Sequence, residues 1–162
     1  MQLLKSILRS FYYAFRGIGK MIQTERNFRI HMTAILYVII FAFFYGLDGT
    51  QWAILCLTLG LVPSLEIVNS AIENAVDIKT REQNPNARIA KDFAAAAVLI
   101  SAISSVAVAI SLFSEKEKLL NAFRIALTPP WLLIIAASVF PIFLFIRGGK
   151  KDKKIKRKGL NK

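Results

Sequence analysis

Over the first twenty-two residues the apolar positions recur with helical spacing. With Lys5 at zero on a helical wheel, Arg9, Arg16 and Lys20 fall at about 40°, 20° and 60°, one cationic stripe. Leu4, Leu8, Phe11, Phe15, Ile18 and Ile22 fall at roughly 220–300°, on the opposite side. Charges threaded through an apolar stretch in this way do not make a cleavable leader. They predict an amphipathic helix over residues 1–24, lying in the headgroup plane of a membrane.

The pattern then changes from a stripe to blocks. Ile30 to Tyr45 is an apolar run without a formal charge, about 24 Å long as a helix. Extended back to Phe28, it predicts a span over 28–45, closed by the turn-like Gly46-Leu47-Asp48-Gly49. Trp52 opens a second segment, apolar through Val62 and then polar but still helically spaced to Ile78. At about 40 Å it outruns the hydrocarbon core, so one end must protrude. Pro63 should bend this helix where it turns polar. Phe93 to Phe113 is uncharged for about 31 Å and predicts a third span over 92–113. Its small residues Ala97, Ser101, Ser105 and Ala109 recur every four positions and allow close approach of another helix. Residues 114–130 read as a charged, mildly amphipathic connector. Residues 131–146, interrupted by Pro141, read as a fourth span with a kink. The expected fold is an all-α integral membrane protein: a surface helix, three transmembrane helices and a fourth C-terminal one.

Charge sharpens this picture. The 162 residues carry 22 Lys+Arg against 10 Asp+Glu, a net +12, beside 55% hydrophobic residues. Long apolar runs separate the basic clusters, which points to an anionic membrane and not to nucleic acid. Basic residues precede the first span, fill the second connector (Lys79, Arg81, Arg88, Lys91) and make up nine of the last sixteen positions. The positive-inside rule therefore places the N-terminus, that connector and the basic tail 147–162 in the cytoplasm. Cys56, the single cysteine, excludes an internal disulfide and reads as inert packing. His31 has no second histidine at ligand spacing and reads as an interface anchor, while Trp52 and Trp131 begin their spans as belt residues do.

Candidate chemistry concentrates in Glu66-Ile-Val-Asn69-Ser70-Ala-Ile-Glu73-Asn74-Ala-Val-Asp77. Relative to Glu66, Asn69 lies near 300°, Ser70 near 40°, Glu73 near 340° and Asp77 near 20°, so the five share one face of about 100°. Three carboxylates on one face at membrane depth need protonation, cationic partners or a metal. Glu25-Arg26-Asn27-Phe28-Arg29 and Ala90-Lys91-Asp92 stand at the mouths of the first and third spans, on the same side. Carboxylates near Lys and Arg, without a Cys or His ligand set, suit a hard cation such as Mg²⁺, and hence a phosphate ligand. A GxxxxGK[ST] loop is absent and Gly17-Ile-Gly19 is too small to stand for one. From spacing alone, the site takes a cation and an anionic ligand. A non-enzymatic subunit or a small ion-coupled transporter would use the same acidic stripe.

SLEIVNSAIENAVD at Ser64–Asp77, ERNFRIH at Glu25–His31 and ARIAKDFAAAAVLI at Ala87–Ile100 resemble the prokaryotic diacylglycerol kinase and undecaprenol kinase family of small membrane lipid kinases. The resemblance covers roughly residues 1–113 in order, and its Glu-x-x-Asn-Ser-x-x-Glu core is highly specific. It implies a bacterial inner-membrane homotrimer of three-span chains with shared active sites, transferring the γ-phosphate of ATP to a lipid hydroxyl. Undecaprenol is the first expected acceptor and diacylglycerol the second. By the same resemblance Glu66 is the general base, and Glu25 and Glu73 are ligands of a Mg²⁺ on the ATP phosphates. Asn69 orients the acceptor or Glu66, and Ser70 lies with Glu66 at the lipid end. Lys91 neutralises the β- and γ-phosphates and Asp92 helps hold the nucleoside. Tyr13 contacts ATP, and Glu82, Gln83 and Asn84 fall in the connector that closes over it. Asp77 is expected to support cationic partners. The fourth span and basic tail depart from the family's minimal pattern and put its usual trimer packing in question.

Overall fold

The computed structural model describes residues 2–79 and 84–148. Those residues form six helices and no strand: α1 Gln2–Thr24, α2 Arg26–Tyr45, α3 Gly49–Lys79, α4 Pro85–Leu112, α5 Lys116–Ala126 and α6 Pro129–Arg147. Helices α2, α3, α4 and α6 are each long and apolar enough to cross a membrane. The all-α reading with four candidate spans therefore holds, and the helix ends account for where it needs correction.

A single residue, Glu25, breaks the helical path between α1 and α2, with φ −96° and ψ 113°. Helix α2 stops at Gly46, whose φ of +77° is open to glycine without a steric penalty and whose N–H donates to the Ala42 carbonyl at 3.1 Å. Helix α3 begins three residues before Trp52. The Asp48 carboxylate accepts the Gln51 N–H at 2.9 Å and the Gln51 side-chain Oε1 accepts the Asp48 N–H at 3.0 Å. That reciprocal pair satisfies two orphan donors and starts the helix inside the expected turn. Helix α4 begins at Pro85 and not near residue 92, because Asn84 Oδ1 accepts the Asn86 N–H at 2.9 Å and Pro85 fits a first-turn position. The stretch 114–130 is more than a connector: it contains α5, which packs on α2 and buries Ala122 completely. Pro63 and Pro141 both lie within continuous helices.

Helices α3 and α4 form the most extensive pairing, an antiparallel hairpin. One end of the bundle holds the apolar core, made by Ala42, Tyr45, Leu47, Leu55, Leu112 and Ala122. There the Tyr45 hydroxyl accepts the Glu115 N–H at 2.9 Å, and its ring meets Phe113 edge-on at 5.0 Å. The Lys118 ammonium, bonded to Glu115 at 2.7 Å, is held above its ordinary pKa chiefly by that bond. Trp52 lies on Phe43 and Trp131 on Phe44, each with ring centres 4.9 Å apart. Both tryptophans thus stand level with the last turn of α2, as a belt requires. Leu55 is 1% exposed within this cluster, so Leu55→Ala should cost about 2–5 kcal/mol. A lowered thermal midpoint in detergent, with α3 otherwise intact, is the expected reading. Cys56, by contrast, is exposed on the outer face of α3 and not part of the core.

Helix α6 returns along α2 for its whole length. Trp131 meets Phe44, the Ser138 and Tyr37 hydroxyls bond at 2.6 Å, and the Ile146 carbonyl reaches Arg29. Helix α3, with 31 residues against 20 for α2, is about 46 Å long against about 30 Å. The surplus lies at its C-terminal end: His31 near the start of α2 and Pro63 line one chamber, and α3 continues for sixteen residues beyond Pro63.

Candidate active site

That overhang carries the polar stripe. Glu66 and Ser70 are buried, 5% and 6% exposed, although both are polar. No described residue forms a hydrogen bond or ion pair with the Glu66 carboxylate. Among the described residues the carboxylate is therefore left open to a ligand. One turn on, Asn69 Nδ2 donates to Glu73 Oε1 at 3.1 Å, while Asn69 Oδ1 is buried with no partner. A buried acceptor left open costs about 1–3 kcal/mol, which a ligand donor or a cation would relieve. The Asn74 amide donates to the Ser70 carbonyl at 2.7 Å, so it points away from Glu73 along the helix.

Farther out, Lys91 Nζ on α4 bonds Asp77 Oδ1 on α3. This pair ties α3 to α4 near the end where the chain connects them and holds the ammonium beside the stripe. The expectation that Asp77 supports a cationic partner is thereby given its partner. Asp92 faces Arg88 at 3.9 Å, and both are well exposed. Glu25 accepts the Thr24 hydroxyl at 3.2 Å and is half-buried at the α1–α2 break. Tyr13 is exposed on α1, with the Arg16 guanidinium 5.2 Å from its ring centre. Asn84 spends its side-chain oxygen on the cap of α4. Glu82 and Gln83 lie outside the described residues, as does the tail from residue 149.

Glu66, Glu73 and Asp77 are successive along α3, with Glu66 and Glu73 separated by a rise of about 10 Å. One ion cannot span that distance. Among the described residues no three acidic, His or Cys side chains converge on a point. Mg²⁺ asks for less, because it is commonly held by one or two carboxylates plus phosphate oxygens and water. Glu25 and Glu73 supply hard oxygen donors of that kind, and the open Asn69 Oδ1 adds a neutral one nearby. The donor chemistry fits.

One participant escaped the hydrophobic period altogether. Arg29 is 4% exposed and donates to the Ile22 carbonyl at 2.9 Å and to the Ile146 carbonyl at 3.2 and 3.0 Å. An arginine at the entry of an apolar span was the available signal, since such a group demands partners there.

The sequence profile of the prokaryotic diacylglycerol kinases matches residues 12–113, from α1 through the end of α4. The chain belongs to this family. It is 40% identical over 113 residues to an undecaprenol kinase of Bacillus subtilis (strain 168), covering 70% of this chain and 92% of that relative. It is 42% identical over 108 residues to a diacylglycerol kinase of Synechocystis, covering 66% of this chain and 62% of the relative. A diacylglycerol kinase of Escherichia coli (strain K12) is 33% identical over 100 residues, 62% of this chain and 82% of the relative. No solved structure gives a significant match. In this family member every paired group of the α3 stripe lies inside the matched region, whereas α5 and α6 lie beyond it.

Proposed function

We propose that this chain is an ATP- and Mg²⁺-dependent lipid kinase that converts undecaprenol to undecaprenyl phosphate at the cytoplasmic face of the bacterial inner membrane. The observation that carries the proposal is the carboxylate of buried Glu66, without a partner among the described residues, at the head of a polar stripe that overhangs the apolar bundle. A base placed there meets a lipid hydroxyl from the membrane side and a nucleotide from the water side.

In the proposed reaction Glu66 takes the proton of the lipid hydroxyl as the oxygen attacks the γ-phosphorus. The new O–P bond forms as the bond to the leaving ADP oxygen breaks. Asn69 orients the acceptor or Glu66, with Ser70 beside it. Lys91, anchored by Asp77, faces the β- and γ-phosphates, and Asp92 and Tyr13 contribute to nucleotide contact. Glu25 and Glu73 would hold Mg²⁺, which when bound neutralises phosphate charge. Positioning and charge neutralisation are the main demands of phosphoryl transfer, and this residue set supplies both. A homotrimer with sites shared between neighbouring chains would complete a donor set that one chain leaves short.

The relative named undecaprenol kinase, matched over nearly its full length, favours a polyprenol acceptor. Diacylglycerol is the second reading, favoured by the other relatives' names. A competition assay separates them. With undecaprenol and diacylglycerol equimolar in one mixed micelle, the phosphorylated polyprenol should dominate the product by about tenfold, a difference of about 1.4 kcal/mol in transition-state binding. A product dominated by phosphatidate would replace undecaprenol with diacylglycerol.

A further inference from the structure

Arg29 joins three helices through two carbonyls that no helix can satisfy. The Ile22 oxygen belongs to the last turn of α1, and the Ile146 oxygen to the last turn of α6. Both are among the terminal carbonyls that have no intrahelical donor. A buried guanidinium serves them with bonds to charge and meets the negative ends of both helix dipoles. Between Ile22 and Arg29 lies Glu25, the one residue outside a helix in this stretch, and its carbonyl accepts the Arg29 N–H at 3.3 Å. Arg29 therefore closes a loop around Glu25, and the far anchor of that loop is α6.

This anchor is peculiar to a chain with the C-terminal helices. The profile match ends at Phe113, and the 113 residues aligned with the Bacillus relative already make up 92% of it. Too little of that relative remains to form both α5 and α6.

We infer that Arg29 is a positioning residue: with the C-terminal end of α6 it fixes the α1–α2 break and so sets where the Glu25 carboxylate points. The inference rests on the proposed role of Glu25 towards the nucleotide-bound metal. It makes α6 a structural support of the active site.

The test uses the full chain and two readouts. Amide hydrogen exchange follows the break at residues 22–30, and Mn²⁺ titration by electron paramagnetic resonance, with a non-hydrolysable ATP analogue, follows the metal site. Arg29→Gln should speed exchange at the break while leaving the middle of α3 and α4 protected. It should also weaken Mn²⁺ binding by about tenfold or more, as loss of an outer support does. Arg29→Lys, able to reach one carbonyl but not fork to both, should fall between. Gly148→Val gives an independent perturbation: a Cβ at Gly148 would meet the Leu144 carbonyl at 2.8 Å and displace the end of α6 without touching the site. It should move both readouts in the same direction with kcat at saturating metal within about twofold of wild type. Faster exchange with unchanged Mn²⁺ affinity would overturn the inference, as would unchanged exchange. Wild-type protein that binds Mn²⁺ and nucleotide but phosphorylates no lipid would sink the kinase proposal alone. Wild-type protein that binds neither would overturn both.

Discussion

Glu66→Gln is expected to lower lipid phosphorylation by about 10³-fold, inside the range that loss of a general base produces. The amide keeps the volume and removes the proton acceptor. Because no described side chain is bonded to Glu66, the change orphans no structural partner. Folding and nucleotide affinity should therefore remain near wild type. Glu66→Asp retains the carboxylate but withdraws it by one methylene, so an intermediate rate is expected. Turnover of the Gln variant within a few-fold of wild type would remove Glu66 from the chemistry. Single-turnover transfer and fluorescent-nucleotide titration on the same preparation separate the two effects.

Lys91→Met should have the next largest effect, a fall in kcat of about 10²-fold, the scale for deleting one preorganised charge donor at a reacting phosphate. Its partner gives the more discriminating variant. Asp77 and Lys91 are the only described ion pair linking α3 to α4. Asp77→Asn leaves the ammonium in place but loosens its anchor. That change should raise KM for ATP several-fold and lower kcat far less than Lys91→Met does. Equal losses from both variants would mean that the pair serves only to clip the hairpin together.

Much of this arrangement could be read from the residues in order. Blocks of apolar residues and the cationic stripe of α1 gave the helices, because a membrane solvent enforces long uncharged segments. The three-and-four spacing from Glu66 to Asp77 gave the polar face, since helical geometry fixes it without reference to the rest of the chain. Helix ends were harder. The Asp48–Gln51 cap moved the start of α3 into what composition marks as a turn, and Asn84–Pro85 did the same for α4. Such ends are set by one or two local hydrogen bonds that hydropathy does not register. Helix α5 was concealed by its charges, which face outward while Ala122 alone is fully covered. Arg29 belongs to a different class. Its partners lie 7 and 117 residues away, so its role exists only once α6 has returned along α2.

Direct transfer of label from γ-³²P-ATP to undecaprenol, by purified chain reconstituted in lipid vesicles with Mg²⁺, is the decisive measurement. Label should appear in undecaprenyl phosphate, disappear when the divalent ion is chelated, and fall to near background with Glu66→Gln. Folded wild-type protein that labels neither undecaprenol nor diacylglycerol, or a Glu66→Gln variant that labels lipid as fast as wild type, would contradict phosphoryl transfer at the α3 stripe.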